Sequence, residues 1–327
     1  MSPQALNLVD NALLEGLAFA PVPLSCYLTF RLLDFPDVTV DGSFVLGGSV
    51  AALLIANGHC EPWLATLAAV PFGALAGACT GVLYVRLGIN KLLAGILVAF
   101  ALYSINLLAI GASLAFPQGS TVISPFYALD RYCLQFLPPG TLVHPSQILL
   151  FAVVFLAIKL AIDAYLTSEA GLFLRASPYC EEAIWHKGVN PQRYQILGVA
   201  LANAIVALCG AFVAQKEGAA NSFRGTGLII VGIAAFIIGE QARGLCRSLE
   251  RSVIRDSRAG VSTRMLYFLV RPLRQVSPTT GAAIGAFVYF FMVHLGYRLH
   301  LNPALPKLVM ALLLITFIGN WRKAFRR

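Results

Sequence analysis

The segment LTSEAGLFLRASPYCEEAIWHKGVNPQRY, residues 166–194, is a polar run with a helical pattern between two strongly apolar stretches. Glu182, Ala183 and Ile184 are followed, after three further residues, by Gly188, which predicts a short helix ended by glycine. We expect Ile184 and Trp185 to be exposed, and exposed apolar residues in such a loop indicate a contact surface. The segment is therefore a predicted docking loop.

The composition indicates a membrane protein. Of the 327 residues, 58% are hydrophobic and 12% are charged, whereas soluble domains carry roughly 25% charged residues. Apolar runs near 20 residues are long enough to cross the hydrocarbon core as helices. The fold class predicted is an all-α, polytopic integral membrane protein. The N-terminus lacks a basic region and a small-residue cleavage site, so no removable signal peptide is expected.

Nine apolar segments are predicted, and because the second and seventh are short, about eight to nine cross the membrane. They cover residues 12–33, 43–57, 62–85, 91–113, 146–166, 194–214, 228–239, 279–297 and 304–320. We interpret 1–327 as a single transmembrane domain. Its parts are a first half (12–113), an external loop (114–145), a second half (146–240) with the polar loop 167–193, an Arg-rich cytoplasmic insert (241–274) and two last spans (279–320).

The positive charge predicts the orientation. The net charge of +9 reflects lysines and arginines in alternate loops, which is the bias of cytoplasmic loops in integral proteins and no indication of nucleic-acid binding. This orientation puts the N-terminus outside and the C-terminus in the cytoplasm. The cytoplasmic residues are Arg86, Lys91, Arg175, Lys187, Arg193, the arginines of 243–274, and Arg322, Lys323, Arg326 and Arg327.

The two short segments resemble each other. Ser43-Phe44 precedes a glycine-broken run, and Ser222-Phe223 precedes another that contains Gly225 and Gly227. Paired glycine-interrupted segments in two inverted halves point to a transport pathway near the bilayer midplane. An inverted repeat is one interpretation, and chance similarity in a glycine-rich chain is the other.

Several polar residues are candidates for the pathway or its gate. Asp34, Asp37 and Asp41 lie before the second segment, where carboxylates cap a helix start, are solvated, form a gate or contact substrate. Asn106 lies inside the fourth segment, where its amide needs a partner, either on another helix or in a pathway. The pathway or gating candidates are Asp34, Asp41, Ser43, Asn106, Gly225 and Gly227.

Gly73, Gly77 and Gly81 lie four residues apart and therefore on one face of the third segment. Small residues at this spacing let two helix backbones approach closely in a membrane. We interpret them as a helix-packing face, within the chain or between subunits.

The Arg-rich insert has helical order. Arg243, Arg247, Arg251, Arg255 and Arg258 form one stripe, and apolar residues form another on the opposite side. The pattern predicts a basic amphipathic helix in the cytoplasmic interface, which contacts anionic lipid headgroups or docks a partner.

Catalytic and metal motifs are absent from the sequence. There is no Gly-Lys dipeptide and hence no P-loop, no HExxH and no GxSxG. The seven cysteines are scattered without ligand spacing. We expect no catalytic residue, no metal and no cofactor on this chain, which is consistent with a transport subunit and not with an enzyme.

The polar loop resembles the coupling-helix region of permease subunits of bacterial ABC importers, in the EAA-x3-G form of the branched-chain amino acid/ribose permease family. The preceding G-x-x-x-RA run, here Gly171 to Ala176, and the trailing Gly188-Val-Asn are also typical of it. Other stretches are similar to the tryptophan/tyrosine-type permease subgroup. These are LLDFPDVTVDGSFVLGG (32–48), GALAGACTGVLYVRLGINKLLAGILVAFALYSINL (73–107), LGVALANAIVALCGAFVAQKEG (197–218) and IIVGIAAFIIGE (229–240). Ile184 at the third EAA position and the longer Arg-rich insert depart from the family pattern.

The resemblance implies a division of labour. A cytoplasmic ABC ATP-binding subunit, which carries ATP and Mg, would dock on the loop, and a substrate-binding protein would deliver solute from outside. The permease would act as a homodimer in the bacterial cytoplasmic (inner) membrane, in contact with membrane lipid, and import an aromatic or branched-chain amino acid. The implied coupling residues are Arg175, Glu182, Ala183, Ile184 and Gly188.

Two other classes compete with this interpretation. An ion-coupled secondary transporter or channel would act without an ATPase, and it would need a buried ionisable residue in mid-span. A membrane enzyme or assembly scaffold would need a site that the sequence does not offer.

Overall fold

The computed structural model describes residues 3–58, 60–136, 144–255 and 278–298, and these are mostly helical. A π-helical turn, Tyr27–Leu32, follows α2, and two short strands join the helices. The elements are α1 Pro3–Phe19, α2 Pro21–Cys26, α3 Thr39–Ala56, α4 Pro62–Leu87, α5 Lys91–Ile110, β1 Ser113–Ala115, α6 Ser124–Phe136, α7 Pro145–Thr167, α8 Glu169–Ala176, α9 Glu181–Trp185, α10 Pro191–Glu217, β2 Ala219–Asn221, α11 Leu228–Arg255 and α12 Pro278–Arg298.

Seven helical segments in the described part of the chain are long and apolar enough to cross a membrane. The prediction of a polytopic helical protein is thereby confirmed, whereas the ninth predicted segment, 304–320, lies outside the described residues. The seven are Leu8–Leu32, Thr39–Ala56, Pro62–Leu87, Lys91–Ile110, Pro145–Thr167, Pro191–Glu217 and Thr279–Gly296, and Leu228–Gln241 is a shorter apolar helix.

The predicted external loop 114–145 is more ordered than expected. Its middle part forms α6, and β1, at its start, pairs antiparallel with β2, with Ser113 opposite Asn221 and Ala115 opposite Ala219. The described structure is mostly helical, as predicted, and in this short strand pair two connections at the same end of the molecule satisfy each other's backbone groups. The strand pair holds the end of α5 beside the end of α10.

The seventh predicted segment and the first part of the Arg-rich insert form one helix. α11 runs without interruption from Leu228 to Arg255, because this stretch contains no proline and its isolated glycines are tolerated in a helix. The prediction of a separate interfacial helix was therefore wrong for residues 243–255, which continue the helix of the seventh segment. Arg243, Arg247 and Arg251 follow one another along α11, and Arg258 and the rest of the insert lie outside the described residues.

α10 is buried along most of its length and packs between α3 and α4. Its contact with α3 brings the two backbones together, since a Cβ added at Gly47 would collide with the carbonyl of Ala207. A Cβ added at Gly210 would collide with the carbonyl of Phe44. Two glycines, one on each helix, therefore set the distance between α3 and α10.

The predicted glycine face of α4 lies against the other side of α10. Cβ atoms added at Gly73, Gly77 and Gly81 would meet backbone atoms of Asn203, Val199 and Ile196, respectively. In the described residues this face is thus occupied within the chain.

A second bundle of α1, α11 and α12 packs beside this core. α11 and α12 also approach through glycines, because a Cβ at Gly239 would collide with the carbonyl of Gly281 and a Cβ at Gly285 with the carbonyl of Ala235. The ring of Phe19 stacks on that of Phe290 with centroids 5.0 Å apart and joins α1 to α12.

Enlarging a glycine at the α3–α10 contact should destabilise the protein. Gly47→Val and Gly210→Val each force the two backbones apart, and we expect a loss of about 1–3 kcal/mol in the free energy of unfolding. Thermal unfolding of the purified protein in detergent measures the effect. Ala101→Val is the matched control, since Ala101 is exposed on α5. Equal stability of the control and the two glycine variants would contradict the packing role.

Candidate functional site

The first turn of α3 is held by a buried carboxylate. Asp37 is fully buried, and its Oδ1 accepts a hydrogen bond of 2.9 Å from the backbone N–H of Thr39. Such a bond satisfies one of the backbone donors that a helix start leaves unpaired. Asp37 thus fixes the point at which the chain enters the helix.

The same carboxylate ties α3 to α10. Asn203 Nδ2 donates to Asp37 Oδ2 at 2.6 Å, and Ser43 Oγ donates to Asn203 Oδ1 at 2.7 Å. All three side chains are fully buried. Burial raises the pKa of the Asp37 carboxyl above its ordinary value, while the donors from Thr39 and Asn203 oppose that shift. The chain of bonds sets the register of α3 on α10.

Hydroxyl groups extend this polar cluster to α4 and α5. Thr39 Oγ1 lies 2.7 Å from Thr80 Oγ1 on α4 and 3.5 Å from the carbonyl oxygen of Gly95 on α5. Since Thr39 and Thr80 are both fully buried, the start of α3 is bonded to three neighbouring helices.

Asp41, one turn further along, caps α11. Its Oδ2 accepts from the backbone N–H of Gly227 at 2.9 Å, and its Oδ1 accepts from that of Ile229 at 2.7 Å. Gly225 lies directly against the carbonyl of Asp41, where a Cβ would collide, and Gly227 has a φ of +82°. Asp41 therefore caps the start of the seventh predicted segment, whereas capping of the second segment was the expectation. The carboxylate that caps α3 is Asp37.

The two glycine-broken runs differ in structure. Ser43, Phe44 and Gly47 lie within the unbroken helix α3, whereas residues 222–227 form consecutive turns before α11. Only the second run breaks a helix.

Asn106 bonds α5 to α3. Its Nδ2 donates to the carbonyl oxygen of Gly42 at 3.2 Å, and its side chain is 1% exposed. Its Oδ1 is buried and has no hydrogen-bond partner among the described residues. Because a carbonyl only accepts, the nitrogen must face Gly42, and the remaining atom is an acceptor.

A cavity of about 440 Å³ lies where these elements meet. It brings together three of the predicted pathway residues, Asp41, Asn106 and Gly225, whereas Ser43 and Gly227 do not line it. Asp34 lies apart: it is exposed, has a φ of +49°, and its backbone carbonyl accepts from Lys91 Nζ at 3.0 Å. The cavity is lined by Val38, Asp41, Gly42, Val45, Ile96, Ala99, Phe100, Tyr103, Asn106, Ser222, Gly225 and Thr226.

The sequence-based list of site residues omitted the centre of the polar cluster. The sequence indicates Asp37 only as one of three carboxylates before the second segment, and it gives no role to Thr39, Thr80 or Asn203. Asn203 carried a usable signal, because an amide inside an apolar segment needs a partner just as Asn106 does. The partner itself, 166 residues away along the chain, could not be inferred from one sequence.

The polar loop is anchored on the helices that flank it. Gly171 of α8 packs directly on the backbone of Tyr165 and Leu166, where a Cβ would collide. Leu174 is buried in the main hydrophobic core. After α8, Gln195 of α10 donates to the carboxylate of Glu181 at 2.8 Å and to the carbonyl of Ser177 at 3.3 Å. α8 and α9 are thus fixed to α7 and α10.

The predicted coupling residues lie on α8, α9 and the turn that follows. Arg175, Glu182 and Ala183 are exposed, and Gly188 ends the turn with a φ of +74°. The expectation that Ile184 is exposed was wrong: it is 4% exposed, because α9 is only five residues long and uses this side chain to pack against the protein. Trp185 is 51% exposed, and Leu172 and Tyr179 of the same loop are also exposed.

Comparison with known proteins identifies the family. The chain belongs to the family described as branched-chain amino acid transport system/permease component, whose model matches residues 8–318. It is 29% identical over 312 residues to the tyrosine transport system permease protein of Clostridioides difficile (strain R20291), which covers 95% of this chain and 90% of that protein. The family resemblance inferred from the sequence is thereby confirmed.

Two further relatives are more limited. An uncharacterized protein of Rickettsia prowazekii (strain Madrid E) is 31% identical over 236 residues, 72% of this chain and 78% of that protein. The ribose import permease protein RbsC of Escherichia coli (strain K12) is 25% identical over 203 residues, 62% of this chain and 60% of that protein. No solved structure matches the chain significantly.

Family membership and the membrane helices define the class of protein. The chain is a transport component and not an enzyme, and it is a multi-pass protein of the inner membrane. Membership in an ABC permease family implies an ATP-binding subunit and a substrate-binding protein as partners.

Removing the amide of Asn203 should destabilise the protein strongly. Asn203→Leu removes the donor to Asp37 Oδ2 and leaves Oδ1 with the backbone N–H of Thr39, and the loss of a hydrogen bond to a buried charged group costs about 1.5–3 kcal/mol. The free energy of unfolding in mixed micelles measures the loss. Gln192→Leu is the matched control, because Gln192 is an exposed amide on the same helix. A loss that is no larger than in the control would show that the Asp37–Asn203 bond does not hold α3.

Proposed function

We propose that this chain is the permease subunit of an ATP-driven ABC importer and forms the pathway for a small solute. The observation that carries the proposal is the anchored polar loop, with a short helix whose buried face is Ile184 and whose exposed face carries Glu182 and Trp185. A loop that needed only to connect two spans would gain nothing from an exposed tryptophan. A contact surface explains both the anchoring and the exposure.

The contacts that fix the loop to α7 and α10 would allow it to transmit a movement of the ATP-binding subunit to these spans. Because α8 packs on α7 through Gly171 and Leu174, and α9 is bonded to α10 through Glu181, a displacement of the loop also displaces two spans. Coupling requires that an ATP-binding subunit contact the inward-open and outward-open states differently. In this proposal ATP and Mg are bound by that partner subunit.

The contacts also support the predicted orientation. Lys91 lies over the ring of Tyr84, and Phe35 contacts the same ring, so the connection between α4 and α5 and the residues before α3 share one end of the molecule. Leu33 and Leu174 both lie against Gly198, which brings the polar loop to that end. We assign this end to the cytoplasm from its lysines and arginines, and from the basic residues of 322–327 in the sequence we propose the same side for the C-terminus. The strand pair β1–β2 then faces outward.

The remaining parts of the proposal follow from this arrangement and from the family. An external substrate-binding protein would dock on the outward end. A second copy of the chain would complete the pathway, and membrane lipid would cover the exposed apolar sides of α4, α5 and α7. The relationship to a protein named for tyrosine transport favours an amino acid, aromatic or branched-chain, as the solute. The inverted repeat of 12–113 and 146–240 stays a prediction.

Changing the exposed face of α9 should abolish the association with the ATP-binding subunit. Glu182→Arg and Trp185→Ala leave Ile184 in place, so the loop should keep its fold while the contact is lost. Since central residues of an interface carry most of its binding energy, we expect at least a tenfold loss of affinity for each variant. Co-purification of the tagged permease with the co-expressed ATP-binding subunit measures the change.

Leu149→Ala serves as the control, because Leu149 is an exposed apolar residue near the start of α7, about 24 Å along that helix from the Tyr165 end on which α8 packs. This variant should retain the partner. Full association of both α9 variants would contradict the docking assignment. Uptake that continues after ATP depletion but ceases when the ion gradient is dissipated would instead favour the ion-coupled transporter.

A further inference from the structure

A second cavity, of about 280 Å³, lies between α7, α10 and the elements beside them. Its lining residues on α10 recur every three or four positions from Gly198 to Leu208, and those on α7 have the same spacing. One face of each helix therefore borders the cavity, which we call the α7–α10 groove. The α7 residues are Ile158, Ala161, Ile162 and Tyr165.

The α7–α10 groove offers an occupant no polar side-chain partner. None of the described residues that line it is charged, and the one lining side chain with a polar atom is Tyr165, whose hydroxyl oxygen is itself buried. Apolar cavities exclude water, and an empty one loses the dispersion contacts of its lining. The groove therefore favours a hydrocarbon occupant.

The groove cuts into the protein and opens to its outer surface. Leu28 and Leu174 border it and are 3% and 1% exposed, so its inner wall belongs to the main hydrophobic core. Ala161, on the α7 side, is exposed, and most of α7 is likewise unburied. Because α7 is a candidate membrane span, the opening faces the hydrocarbon of the bilayer.

The length of the groove corresponds to one leaflet. From Gly198 to Leu208 its lining on α10 extends about 15 Å, which is half of the roughly 30 Å of the hydrocarbon core. On α7 the lining lies in the half of the helix next to the polar loop, and Leu174 of α8 continues it there. With the orientation proposed above, this half lies in the inner leaflet.

The groove is too small to hold another helix. An α-helix is about 10 Å across with its side chains, so 15 Å of helix occupies roughly 1,200 Å³, several times the volume of the groove. A single extended hydrocarbon chain is much thinner. The inner leaflet supplies such chains at the opening of the groove.

We propose that the α7–α10 groove binds one acyl chain of an inner-leaflet phospholipid. The inference goes beyond the proposed transport function and takes from it only the orientation. Because Leu174 belongs to α8, the bound chain packs against the polar loop as well as against α7 and α10. The phospholipid thus supports the anchoring of the loop on these two spans.

Native mass spectrometry of the full chain tests the assignment. The protein is reconstituted in nanodiscs of palmitoyl-oleoyl phosphatidylglycerol and phosphatidylethanolamine, released into detergent and washed until loosely held lipid has dissociated. The wild-type protein should retain one phospholipid per chain, identified by its added mass, because leaving the groove exposes an apolar lining that nothing else covers. Loss of all phospholipid, or a detergent or free fatty acid in its place, would overturn the proposal.

Variants locate the retained lipid. Ala204→Phe and Ala161→Phe each place a ring in the groove, and we expect the lipid-bound fraction to fall at least tenfold. Ala157→Phe is the matched control and should retain the lipid, because Ala157 is exposed one turn earlier on α7 and does not line the groove. If Ala204→Phe fails to fold, Ala161→Phe still decides. Equal retention by Ala161→Phe and the control would contradict the assignment.

The same spectra detect a second copy of the chain as the occupant. If side chains of another copy filled the groove, Ala161→Phe would lower the dimeric fraction and leave the retained phospholipid unchanged, and this result would overturn the proposal. The transport proposal is tested separately by the α9 variants, since neither Glu182 nor Trp185 lines the groove.

Discussion

The buried bond between Asp37 and Asn203 is the constraint on which the described structure depends. Asp37 lies just before α3 and Asn203 lies inside α10, and because both side chains are fully buried, no water replaces a missing hydrogen bond and each satisfies the other. Their pairing admits only one alignment of α3 on α10. In that alignment Gly47 and Gly210 meet the opposite backbones, and the two helices reach a contact that larger side chains would prevent. The hydrogen bond between Asp37 and Asn203 sets the register of α3 on α10, and the two glycines permit the short distance between the helix backbones.

The position of α3 also determines how α11 and α5 pack against it. Because Asp41 lies one turn after Asp37, it reaches the start of α11 as soon as α3 is in register, and the carbonyl of Gly42 becomes the acceptor for Asn106 of α5. The cavity is the space left between these three elements. The segment DFPDVTVDGSF supplies three residues of the lining, Val38, Asp41 and Gly42, and bonds to the elements that supply most of the rest.

The sequence reveals the elements of this protein more readily than their contacts. Apolar length gave the spans, because a bilayer imposes a minimum on any crossing helix. The short spacing between Glu182 and Gly188 gave the loop helix. Two predictions failed because they depended on tertiary contacts. Ile184 was expected to be exposed, but it is the buried side chain that anchors the five-residue helix α9. Asp41 was expected to cap the second segment, but it caps α11, which begins almost 190 residues further along the chain. The seventh segment was predicted to end at residue 239, where its apolar pattern ends. The helix α11 continues to Arg255, because a helical backbone does not require apolar side chains and no proline interrupts it.

The continuity of α11 has a mechanical consequence. At 1.5 Å per residue its 28 residues span about 42 Å, which exceeds the roughly 30 Å of the hydrocarbon core. Its first turn is held inside the protein by Asp41, and its last turns carry arginines. One end of the helix is therefore fixed beside the cavity, and the other end lies about 42 Å away. A rigid tilt of about 10° about the fixed end moves the other end by about 7 Å, so the last turns of α11 are displaced far more than the turns beside the cavity.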